Sequence, residues 1–110
     1  MSDRRMENDM SDLPFKNTYD LSQDQLQALD EAEEAMEAGR LNDAEGLFLA
    51  MLEVDGDCVP VLANLGYLYG RHFSEYDKAV EYYDRVLLLE PDNAWARDER
   101  RKYKRWLDSD

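Results

Sequence analysis

The chain has 110 residues and a formal charge of −13, 26 acidic side chains against 13 basic, a size that fits one domain with a modest core. So large an acidic excess repels nucleic acid and anionic lipid over most of the surface, which excludes both as partners. No apolar run approaches the roughly 20 residues of a bilayer span, and Met1 onward lacks the apolar core of a secretory leader, so a soluble, cytoplasmic protein is expected.

Residues 1–20 are polar, contain Pro14 and show no helical apolar stripe, which predicts a disordered N-terminal tail. The alternative is a tail of which part folds back onto a groove through Met1, Met6, Met10, Leu13, Phe15 and Tyr19. Ser22 with Gln25 three residues on forms a capping box, with Asp24 beside it, and predicts a first helix running to Gly39. Asn42 is placed to cap a second helix carrying Ala44, Leu47, Phe48, Met51 and Leu52 at helical spacing and closing near Gly56. Asp57 is placed to cap a third, with Pro60 in its first turn, where a missing N–H costs little.

Ser74 with Asp77 predicts the start of a fourth helix, periodic through Ala79, Val80, Tyr83, Val86, Leu87 and Leu89 and stopped by Pro91. Asn93 caps a fifth to about Leu107, with Arg97, Arg100, Arg101 and Lys104 on its polar side and Ala96, Tyr103 and Leu107 as one covering stripe. No strand pattern interrupts the helices, so the fold class is all-α. Charge changes along the chain: residues 1–58 sum to −12, 59–93 to −3 and 94–110 to +2.

The chain also repeats itself. Ala28, Ala32 and Ala35 are answered 34 residues later by Leu62, Gly66 and Tyr69. Leu41, Ala44, Phe48, Met51 and Gly56 are answered at 35 by Tyr76, Ala79, Tyr83, Val86 and Pro91, so the second hairpin turn carries one extra residue. Leu62-x2-Leu65-Gly66-x2-Tyr69, followed by Ala79-x3-Tyr83-x2-Val86 and Pro91, resembles the tetratricopeptide repeat, with Leu62 where Trp is common. The first unit departs from that pattern at Glu31 and Ala35, so its first helix is expected to pack thinly. The resemblance spans residues 22–93 and implies two antiparallel helical hairpins in a right-handed superhelical stack. Repeat one covers about 25–58 and repeat two about 59–93, with a capping helix over 94–107. Gly66 and Ala79 would sit where the helices of the second hairpin cross.

Candidate chemistry is sparse. Cys58 is alone, which rules out a disulfide framework or a thiolate zinc site. Asp55-Gly56-Asp57 fails as a calcium loop, because Pro60 and Gly66 occupy the sixth and twelfth positions. His72, the only histidine, has no spaced Ser, Cys or acid, and Glu31, Glu33, Glu34 and Glu37 form a solvated acidic face. No catalytic residue, metal or cofactor is expected.

The resemblance implies instead that the first helix of each hairpin lines a concave groove. The groove residues are Leu26, Leu29, Asp30, Glu33, Met36 and Glu37 from the first unit and Ala63, Asn64, Tyr67 and Arg71 from the second, closed by Trp95 of the last helix. Related proteins that grip a chaperone's terminal carboxylate use Lys, Arg and Asn. Here only Asn64 matches, while Leu29, Glu33, Trp95 and Glu99 stand where the others would be. The expected function is a non-catalytic, monomeric adaptor that binds a basic, partly apolar peptide or helix, similar to tetratricopeptide co-chaperones in architecture and partner type. The alternative is a structural or self-associating component docking through Trp95, Tyr103 and Trp106.

Overall fold

The computed structural model describes residues 19–109. The expected tail therefore lies outside the described residues except at its end, where the Tyr19 hydroxyl donates to Glu90 Oε1 (3.3 Å) and Leu21 is buried. Within 19–109 the chain is all-helical. The helices are α1 (Gln23–Glu37), α2 (Leu41–Val54), α3 (Val59–Tyr67), α4 (Tyr76–Leu89) and α5 (Ala94–Asp108), and a π-helical turn, Leu68–His72, extends α3.

Both ends of α1 close as its residues dictate. Ser22 Oγ accepts from the Gln25 N–H (3.1 Å) while Gln25 Oε1 accepts from the Ser22 N–H (2.8 Å), so two otherwise orphaned donors are satisfied. At the other end Gly39 adopts φ +84°, and the N–H groups of Gly39 and Arg40 return to Met36 O (3.1 Å) and Ala35 O (2.9 Å). That paired bonding is a Schellman motif, which glycine's freedom from a Cβ penalty permits.

Three expected caps are not used. The Schellman turn delivers the chain straight into α2, whose N-cap is Arg40, so Asn42 lies inside the first turn. Before α3, Asp55 Oδ1 accepts from the Asp57 N–H (3.2 Å) and Cys58 becomes the N-cap, so Asp57 serves a turn and not a helix end. Before α4, Ser74 takes φ +55° and Glu75 is the N-cap. Asn93 does cap α5, its Oδ1 accepting from the Ala96 N–H (2.9 Å).

The extra residue of the second unit coincides with the π-helical turn, where the Phe73 N–H reaches back five residues to Leu68 O (3.1 Å). A π turn absorbs one inserted residue without breaking the helix. The turn is buried at Leu68, Tyr69 and Gly70 and presents Arg71 and His72 to solvent.

Neighbouring helices pack in sequence order, α1 on α2, α3 on α4 and α4 on α5, as short connections require. α1 buries only Ala32, Ala35 and Met36, whereas α3 buries Val59, Val61, Leu62, Leu65 and Gly66. The core is heavily aromatic. Tyr103 stacks between Tyr76 (5.6 Å) and Tyr83 (6.2 Å), and Tyr83 meets Trp95 edge-on (5.5 Å). A Cβ on Gly66 would lie 2.8 Å from the Tyr83 ring, and one on Gly70 2.5 Å from the Tyr103 ring. Both glycines are thus places where a helix backbone meets the face of a tyrosine.

Candidate functional site

An open cavity of about 360 Å³ lies where α1, α3 and α5 meet, lined by Met36, Pro60, Ala63, Asn64, Tyr67 and Trp95. Met36 reaches it from the last turn of α1, where helical spacing puts it on the same side as Ala32 and Glu33. Pro60, Ala63, Asn64 and Tyr67 recur at intervals of three and four along α3, so one stripe of that helix forms the floor. Trp95 stands at the second residue of α5, in a T-shaped contact with Tyr83 and 47% exposed.

Of the residues expected in a groove, Met36, Ala63, Asn64 and Tyr67 line this cavity together with Trp95. Glu33 adjoins it: its Oε2 accepts from Asn64 Nδ2 (3.0 Å), a contact that ties α1 to α3. The second hydrogen of that amide goes to Pro60 O (2.9 Å). Asn64 therefore meets a ligand as an acceptor only, so it cannot donate to a bound carboxylate.

The other expected groove residues lie apart from the cavity. Leu29 is half-buried against the core, Leu26, Asp30 and Glu37 are exposed on α1, and Arg71 is exposed in the π turn. Pro60 was not anticipated as a lining residue, although its place four residues before Asn64 puts it on the same stripe. Tyr67 also meets His72 edge-on (5.6 Å), the one ring contact of that histidine among the described residues.

The aromatic face expected on α5 is split. Tyr103 is 1% exposed and belongs to the core, packed against Tyr76 and Tyr83, which corrects its assignment to a docking surface: a ring buried within the monomer offers no surface to a partner. Trp106 is 43% exposed and touches Tyr76 (5.4 Å) and Tyr103 (5.5 Å), with Leu107, expected to cover α4, exposed beside it. Ala96 is buried as its stripe requires.

Electrostatic perturbation falls mostly on tyrosines, although burial also raises the Cys58 thiol and the hydrogen bond to Glu75 raises Lys78. Burial, then the hydrogen bond to Glu45 Oε2 (2.6 Å), pushes Tyr69 well above the usual phenol range. Burial does the same to Tyr83, whose hydroxyl has no hydrogen-bond partner among the described residues. Among the described residues no group of three or more His, Cys, Asp or Glu is arranged to hold a metal, and no helix is long and apolar enough to cross a membrane. No protein-family model matches the chain, and no curated protein matches it.

Proposed function

We propose that this protein is a non-catalytic interaction module of tetratricopeptide type, two helical hairpins and a capping helix, that holds a basic, partly apolar peptide or helix on the face formed by α1, α3 and the start of α5. The observation that carries this reading is the convergence of Met36, Asn64 and Tyr67 with Trp95 on one open, largely apolar cavity beside the carboxylate of Glu33. α1 adds Asp24, Asp30, Glu31, Glu34 and Glu37 and contains no basic residue. Apolar and aromatic contacts supply most of the binding energy in such interfaces, while a charged rim sets approach rate and selectivity.

A synthetic amphipathic helix with arginine and leucine faces should bind, and its counterpart with glutamate for arginine should not. Affinity should fall as ionic strength passes about 0.1 M, where the screening length is about 10 Å. The double substitution Glu33→Lys/Glu37→Lys should slow association more than it speeds dissociation. Binding indifferent to both salt and substitution overturns the reading.

A second reading, docking or self-association through α5, is favoured by the exposure of Trp106 and Leu107 beside the basic stretch Arg100–Arg105. Sedimentation over a range of concentrations tests it. The cap reading requires a constant monomer mass, and a mass that rises with concentration in the parent but not in a folded Trp106→Ala variant replaces it.

A further inference from the structure

We infer that the cavity between α1, α3 and α5 is a receptor for a single cationic side chain of a bound segment, its charge on the aromatic faces of Tyr67 and Trp95 and its aliphatic stem along Met36, Pro60 and Ala63. The inference deepens the proposed function and rests on its premise that this face takes a protein segment. None of the six lining residues is basic, and the amide hydrogens of Asn64 are consumed by Glu33 and Pro60, so the polar edge offers oxygen acceptors. The side-chain donors left in the lining are neutral, the Tyr67 hydroxyl and the Trp95 indole N–H.

An anion would therefore meet weak donors and the Glu33 carboxylate. A neutral apolar group would gain nothing from that carboxylate. A cation gains from the carboxylate, the carbonyl oxygen of Asn64 and the negative ring faces at once. On α5, Lys102 is engaged by Glu99 (3.2 Å) and lies over the Tyr103 ring (4.7 Å), outside the lining. Among the described residues none of the α1 carboxylates is in a salt bridge, so the charge on that side is not neutralised from within 19–109.

The test uses the full chain labelled with 15N and three probes: N-acetyl-arginine amide, its neutral citrulline counterpart and N-acetyl-norleucine amide. The arginine probe should shift the Trp95 indole, the Asn64 side-chain amide and the Ala63 and Tyr67 backbone amides, about fivefold tighter or more than citrulline. Glu33→Gln preserves an acceptor for Asn64 and should weaken arginine while leaving citrulline unchanged. Trp95→Leu keeps apolar bulk without the ring and should erase the preference. If that variant loses its fold, Glu33→Gln alone decides. Equal affinity for the neutral probes, or arginine shifts confined to residues outside the cavity, overturns the inference.

Failure of the two readings is distinguishable. If the amphipathic helix binds this face equally well with norleucine for every arginine, the cationic receptor is wrong and the docking face stands. If the arginine probe fills the cavity but no basic helix binds, the docking face is wrong.

Discussion

Tyr83 lies under the site with its ring across Gly66 and its hydroxyl buried without a partner among the described residues. Leaving a buried hydroxyl unsatisfied costs free energy that an apolar replacement of the same shape avoids. Tyr83→Phe should therefore leave stability unchanged or raise it by up to about 1 kcal/mol in a denaturant melt. A clear loss would show that the hydroxyl is engaged, for instance with Glu99, whose charge acts on it. Gly70 makes the opposite case. The Tyr103 ring that its Cβ would strike is held on both sides by Tyr76 and Tyr83, so it has little freedom to retreat. Gly70→Ala should cost about 1–3 kcal/mol by overpacking, measured as a lower denaturant midpoint. An unchanged midpoint would mean that α3 and α5 approach less closely.

At the scale of elements, α1 depends on its termini more than its neighbours do. It buries little, and side-chain capping is found at α1 and α5 but not at α2, α3 or α4. Ser22→Ala removes half of the capping box and should cost about 1 kcal/mol. Because α1 carries Met36 and Glu33 to the site, fraying from that end should also weaken binding of the basic helix, which the same variant tests by titration. α5 differs in kind. Its Ala96 and Tyr103 complete a core that α4 leaves open, so a chain ended at Asn93 would expose the rings of Tyr76 and Tyr83. Such a truncation should lose its cooperative thermal transition, and a sharp melt retained near the parental temperature would refute the role of α5 in the core.

Over the whole molecule, three buried tyrosines govern behaviour in alkali. Burial raises Tyr69, Tyr83 and Tyr103 above their ordinary value of 10.0, with Glu45 adding to the shift at Tyr69 and the Lys102 charge opposing it at Tyr103. A group whose folded pKa is raised contributes stability that is complete below the unfolded pKa and is lost as pH rises above it, because the unfolded chain releases the proton first. The tyrosine contribution should thus be flat to about pH 9 and fall above pH 10, each tyrosine adding up to about 1.4 kcal/mol per pH unit, while the buried Cys58 thiol, also raised by burial, adds a loss that begins at lower pH. Tyr69→Phe should make the fall shallower in denaturant melts at pH 9 to 11, and an unaltered slope would remove Tyr69 from the account.

Helical class, the number of helices, the capping box at Ser22, the stop at Gly39 and the cap at Asn93 were all legible in the sequence, because each depends on residues within one or two turns of each other. The spacing of 35 also announced one extra residue in the second hairpin turn, without saying what backbone form it would take. Only the folded chain decided that it forms a π turn, that Asn42, Asp57 and Ser74 are passed over as caps, and that Tyr103 is core while Trp106 stays half outside. The caps were displaced by the turns that deliver the chain to each helix, and Tyr103 is core because its ring lies against Gly70. Met36, Asn64 and Tyr67 were marked as site residues through the repeat resemblance, but that Asn64 spends its donors on Glu33 and Pro60 could not be read from spacing. That contact joins helices 31 residues apart, and the direction in which a side-chain amide bonds is set by the neighbours that tertiary packing brings to it.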